Sequence, residues 1–210
     1  MDADRALDLA EGLDADVAAR MRFVLELDRL KNVLRQTPLV DDSRLENSAE
    51  HSWHLAMVAM AMAPLASEPI DLDRVLKILL VHDVVEIDAG DVFIYDEEAR
   101  STKEVEEQAA ADRIFALVPE PVATELRELW DEYEARETAE ARFAYSCDRL
   151  QPLLLNLASG GGSWRTHDIT ADRVRAVNGP IEVGLPEVWA VADALLDAAV
   201  DDGTLAPPPG

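Results

Sequence analysis

The 210 residues suffice for one domain with its own core, and 49% apolar with 30% charged residues is an ordinary globular balance. A single cysteine, Cys147, excludes an internal disulfide and a cysteine-based zinc site. The formal net charge of −24, with lysine only at Lys31, Lys77 and Lys103, disfavours nucleic-acid polymers and anionic membranes as partners.

A salt-rich cytoplasm and an Ala-, Asp- and Arg-rich codon usage would both give such acidity. The opening segment, 1–15, is acidic and lacks the basic flank and apolar stretch of a signal peptide. No apolar run reaches the ~20 residues that span a bilayer, so the expected compartment is the cytoplasm.

Apolar residues recur at three- and four-residue intervals nearly throughout, which predicts an all-α fold, a compact helical bundle over 16–202 with a frayed tail at 203–210. A first helix is expected over 16–35, with Phe23, Leu27, Leu30 and Leu34 on one face and Pro38 as its stop. A polar connector leads to a second helix, capped at Asn47 with Glu50 three residues on, which carries His51, Trp53 and His54 and ends near Pro64. Its methionines, Met57, Met60 and Met62, read as core packing. A third helix, from Asp71 to Ile87, is apolar almost all round and should be central, with Gly90 as terminator.

After an irregular loop at 91–100, Ser101 and Glu104 make a capping box for a helix reaching Leu117. Pro121 suits the start of the next helix, with Leu129, Trp130 and Tyr133. Thr138 caps a further one that runs to Gly160, and Pro186 starts the last, ending near Val200.

The chemistry is signalled by His82 and Asp83 inside the most apolar helix, with Glu86 one turn later. Ionisable groups rarely enter such a helix unless paired or bound to metal. A second His-Asp pair, His167-Asp168, lies in a polar stretch with no carboxylate one turn on, and reads as a surface dipeptide. His51 and Asp148 each lie in an otherwise apolar helix. For His51 the plain alternative is a capping or core-edge histidine. For Asp148 it is an ion pair with Arg142 or Arg149. Pro152, four residues after Asp148, cannot bond that residue's carbonyl and should kink the helix.

The series EHSW around His51, HDVVEIDAGD from His82 to Asp91, and ELWDEYEARETAEARFAYSCDRL up to Leu150 resembles the HD-domain superfamily over about residues 22–160, most closely its 5′-deoxynucleotidase branch. The resemblance implies a helical metal-dependent phosphohydrolase and a homodimer. It makes His51, His82, Asp83 and Asp148 the metal ligands, Glu86 the catalytic glutamate, Asp91 a sugar contact and Arg35 a contact near the phosphate. Mixed N and O ligands suit one Mn, Co, Fe, Ni or Zn ion better than Mg.

The substrate class implied is a small phosphate ester, a ribo- or deoxynucleoside 5′-monophosphate. The sequence departs from the family's pattern after Arg35, where Gln36, Thr37 and Pro38 stand and tryptophan is frequent, leaving sugar preference and base contacts open. Two other readings are a di-iron HD-type oxygenase, for which only His54 and His167 remain as extra ligands, and a non-catalytic metal- or nucleotide-binding module.

Overall fold

A computed structural model describes residues 3–209; Met1, Asp2 and Gly210, the outer ends of the segments expected at 1–15 and 203–210, lie outside the described residues. Two helices, α1 (Ala3–Leu13) and α2 (Ala15–Leu27), open the chain, α2 capped by the Asp14 carboxylate on the amides of Asp16 and Val17. The helix expected to run on to residue 35 stops at Leu27. A 3₁₀ segment, Asp28–Asn32, follows, and then strand β1 (Leu34–Pro38) pairs antiparallel with β2 (Leu45–Asn47). The strand was hidden because its polarity is inverted: Leu34 faces out, whereas Arg35 and Thr37 are buried. Alternation of apolar residues, the usual mark of a strand, is therefore missing.

Helix α3 (Ser48–Met62) begins with the expected capping box: Glu50 N donates to Asn47 Oδ1 at 3.0 Å and Asn47 N to Glu50 Oε2 at 3.3 Å. Its inner stripe is Ser48, His51, Ser52, Leu55 and Ala59. Met57 and Met60 fall on the opposite face beside Trp53, all exposed, so they are not core residues as expected. Met62 packs against the core edge.

The third expected helix is broken in two. Helix α4 (Leu72–Val81) ends one residue before His82, and the four-residue α5 (Glu86–Ala89) follows a turn. Within that turn the bonds run to the third residue back, Val84 N to Val81 O at 3.0 Å and Glu86 N to Asp83 O at 3.0 Å. This tightening brings residues three apart into register on one side, so Asp83 and Glu86 stack instead of fanning around a cylinder.

Helix α6 (Glu97–Phe115) starts earlier than the capping box at Ser101 suggested; the Ser101 hydroxyl donates to Glu98 O within it. Helices α7 (Val122–Ala135) and α8 (Ala139–Ala158) begin beside Pro121 and Thr138 as the sequence indicates, and Thr138 Oγ1 accepts from Ala141 N. The short α9 (Gly162–Thr166), α10 (Ala171–Asn178) and α11 (Ile181–Gly184) lead to α12 (Pro186–Asp201). Beyond it Leu205 is buried, and Ala206 O accepts from Ala171 N, so the stretch read as frayed is tied down at these positions.

Helix α8 is the axis, packing on α3, α4, α7 and α11, and the core it serves includes Leu55, Ile78, Leu79, Trp130, Phe143 and Leu150. The approach of α11 is close. A Cβ at Gly184 would lie 2.6 Å from Ser146 Oγ and 2.9 Å from Phe143 Cα, and Gly184 N already donates to Ser146 Oγ. Gly184→Ala should therefore push α11 off α8 and lower stability by about 1–3 kcal/mol, read as a lower urea midpoint. An unchanged midpoint would show that the contact yields freely.

Candidate metal centre

Four of the described histidine and aspartate side chains converge where α3, the α4–α5 turn and α8 meet. His51, on the inner stripe of α3, is fully buried, and His82, Asp83 and Asp148 are nearly so. Ligand atoms of His51, His82 and Asp83 all lie within 4.8 Å of one another. Asp148 stands outside that three-residue group but adjoins it, its Oδ1 2.9 Å from His51 Nε2 and 3.9 Å from His82 Nε2, while His82 Nε2 is 3.1 Å from Asp83 Oδ1. Ligands about 2.1 Å from a shared cation stand about 3.0–3.4 Å apart, so the His82–Asp83 separation already has the needed size.

The ring orientations fit a cation. His82 Nδ1–H donates to Leu79 O at 2.8 Å, which leaves Nε2 as a lone pair, and that atom is buried with no hydrogen-bond partner. A buried unpaired nitrogen is costly and calls for an electrophile. Burial, the largest influence, holds the His82 pKa below its ordinary value against the pull of Asp83 and Asp148, which keeps the ring neutral as a ligand must be. At His51, burial and Arg35 oppose a positive charge, but Asp148, Glu46 and Asp83 outweigh them and raise its pKa to about 9. Asp148 and Asp83 face Nε2 and call for positive charge there, as a proton or as a cation. Two imidazoles with two carboxylates are a donor set for a borderline transition metal.

The carboxylates are oriented from behind. Asp148 Oδ2 accepts from Tyr133 OH at 2.8 Å and from the Arg149 fork, leaving Oδ1 for the histidines. Burial works against ionisation of Asp148, yet Arg149 and His51 hold its pKa well below the ordinary value. Of the two arginines weighed as its partner, Arg149 is the one; Arg142 pairs with Glu68. Asp83 Oδ2 accepts from Arg35 Nη1 at 2.9 Å, and the same nitrogen lies 3.4 Å from Asp91 and 3.8 Å from Glu86. Glu86 accepts from Ser48 Oγ at 2.6 Å; burial first, then Asp83, raises its pKa well above the ordinary value.

Sequence reasoning passed over Glu46 and Gln151. Gln151 Oε1 accepts from His51 Nδ1 at 3.1 Å, its Nε2 donates to Glu46 Oε1 at 2.8 Å, and Glu46 Oε2 is 3.3 Å from His51 Nδ1. His54 hangs on this network through Gln151 at 3.0 Å, behind His51. The available signal was weak: Gln151 lies three residues after Asp148 on the same face, but nothing local pairs it with Glu46. The His167-Asp168 pair is exposed and is not part of the ligand group; the His167 ring packs on Phe93 with centroids 4.5 Å apart.

Beside the cluster opens a cavity of about 460 Å³, walled by Arg35, Glu86 and Asp91 near the centre and by Phe93, Tyr95 and Trp164 farther out.

A mainly helical domain with a buried His-Asp set drawn from two helices and the turn between α4 and α5 defines the HD class, and the chain belongs to the HD-domain family, whose pattern matches residues 27–189. Among its relatives, the human 5′-deoxynucleotidase HDDC2 is 31% identical over 138 residues, 63% of this chain and 66% of the relative. The Xenopus laevis protein of the same name is 33% identical over 135 residues, 64% of this chain and 66% of the relative. The chain thus spans just under two thirds of these curated relatives. A crystal structure from Magnetospirillum magnetotacticum MS-1, described as a predicted metal-dependent phosphohydrolase, superposes with TM-score 0.86 at 51% identity, covering 92% of this chain and 100% of that one.

Glu46→Gln should weaken Mn(II) binding about 10–100-fold, because the carboxylate that fixes the His51 ring is lost. Metal titration followed by calorimetry measures it, and equal affinity would remove Glu46 from the centre.

Proposed function

We propose that this protein is a metal-dependent phosphomonoester hydrolase acting on nucleoside 5′-monophosphates, the deoxy series first among them. One observation carries the reading: His82 Nε2 is buried, unpartnered and fixed in its tautomer, facing two carboxylates and a second imidazole. The names of the relatives, 5′-deoxynucleotidases and a metal-dependent phosphohydrolase, agree with it. His51, His82, Asp83 and Asp148 would hold one divalent Mn, Co, Fe, Ni or Zn ion. Such an ion supplies Lewis acidity, acidifying a coordinated water and polarising a phosphoryl oxygen.

The remaining roles fall to the chain. Glu86 adjoins Asp83 on the same side of the turn, and its raised pKa suits it to take a proton from the attacking water. The water oxygen bonds to phosphorus as the ester bond breaks, and the nucleoside departs as an alcohol. Arg35, buried beside the site, offsets negative charge there and holds Asp83 and Asp91 in place. Asp91, at the cavity edge, is placed to accept from a sugar hydroxyl. The cavity of about 460 Å³ has room for a mononucleotide, which lies at the small end of ordinary ligand sites.

A di-iron oxygenase needs further histidine ligands; His54 Nδ1 accepts from Gln151 Nε2 in the network behind His51, and His167 is exposed and bonds Gln36. A second copy of the chain is the partner this reading adds, with exposed Trp53, Met57 and Met60 on α3 as the supporting surface. No helix among the described residues is long and apolar enough to cross a membrane.

The test is phosphate release from ribo- and deoxynucleoside 5′-monophosphates with Mn, Co, Ni, Zn or Mg. Chelation should abolish turnover and Mn or Co should restore it. Glu86→Ala should keep the metal stoichiometry while turnover falls at least about 100-fold. Full turnover by that variant would refute its role, and a wild-type protein inactive across the panel would refute the hydrolase.

A further inference from the structure

The cavity presents an electrostatic difficulty for an anionic substrate. Its walls hold seven carboxyl residues against four cationic ones, Arg35, Lys103, Arg136 and Arg149. Two of the four are committed. Arg35 Nη1 alone serves Asp83, Asp91 and Glu86, and the Arg149 fork is bound to Asp148. Arg136 sits over the Tyr145 ring, its Cζ 3.9 Å from the centroid, at the exposed end of α7, and its influence falls on Glu134.

Lys103 differs from all three. It lines the cavity from the first half of α6, with its side chain 35% exposed, and among the described residues its Nζ has one ion-pair partner, Glu107 Oε1 at 3.1 Å. An ammonium has three donors on a flexible stem, so that contact leaves others to aim elsewhere. It lines the same cavity as Asp83, Glu86 and Asp91 of the ligand turn, and its charge is felt at Asp91. Glu107, one turn on and itself nearly buried, holds the stem over the opening. Lysine occurs at only two other positions in this acidic chain, Lys31 and Lys77, both exposed in surface ion pairs. Retaining a cation here is what recognition of a phosphate would require.

We infer that Lys103 is a substrate-contacting residue, binding the phosphoryl group from the α6 side of the cavity opposite the His-Asp cluster. This rests on the phosphohydrolase reading for its substrate, but the anion site itself can be tested separately. The phosphoryl oxygens would lie between the ligand turn and the ammonium, displacing part of the Lys103–Glu107 pairing. Because the contact is to a group present in substrate and product alike, its loss raises KM and weakens inhibition by phosphate together.

The experiment is calorimetric titration of inorganic phosphate into the Mn-loaded full chain, with wild type, Lys103→Met, Lys103→Arg and Glu107→Gln. Loss of one charge-assisted contact should weaken phosphate binding about 10–100-fold in the Met variant. The Arg variant should stay within about threefold of wild type, and Glu107→Gln should bind a few-fold tighter, because it frees the ammonium. A purely structural Lys103 would give no such opposite signs.

Phosphate affinity in Lys103→Met equal to wild type overturns the proposal, as does a wild type that binds no phosphate. A chain that turns over nucleotides but is indifferent to Lys103 loses only this inference. One that binds phosphate through Lys103 yet hydrolyses nothing keeps the anion site and loses the hydrolase.

Discussion

The structure turns on how the Asp148 carboxylate is divided. One oxygen is held by Tyr133 and Arg149 and the other is offered to His51 and His82, with the carboxylate itself almost fully buried. A buried carboxylate with a partner missing costs several kcal/mol. Here every side of the group is specified: a phenol whose pKa burial and Asp148 push well above its ordinary value, an arginine next in sequence, and imidazoles from α3 and from the turn after α4. Positive charge between those imidazoles would complete the arrangement, and the lone pair on His82 Nε2 is aimed to receive it.

This requirement accounts for the two places where the chain abandons regular helix. Between Val81 and Glu86 the backbone tightens to third-residue bonding, which stacks Asp83 and Glu86 on one side. Between Leu27 and Leu34 the helix is given up altogether, and an extended segment carries Arg35 inward to the carboxylates of Asp83 and Asp91. In both places local preference yields to the placement of charge in a medium of low polarity.

The same charge balance shapes the cavity. A chain of net charge −24 meets an anion at long range with repulsion, so attraction has to be built locally, from the centre and from cations that are not already neutralised. The outer walls, Phe93, Tyr95 and Trp164, draw on the loop after Gly90 and on α9, and give that end of the cavity an aromatic lining.

Much was legible in the residues alone. The helical class, the caps at Asn47 and Thr138, the start of α12 and the unusual character of His82 and Asp83 followed from periodicity and from the cost of burying ionisable groups. His167-Asp168, judged a surface pair from its polar neighbours, is exposed. These features depend on contacts within a few residues, which a sequence displays directly. Strand β1 was not legible, because it buries an arginine and exposes a leucine. Neither was the break after Val81, because every residue from Leu76 to Ile87 is compatible with helix. The Glu46–Gln151–His51 network spans about a hundred positions, and Arg149 rather than Arg142 as the partner of Asp148 depends on which way α8 faces. Such choices are made by long-range packing, where the energy of a buried charge exceeds any local propensity; only the folded chain decides them.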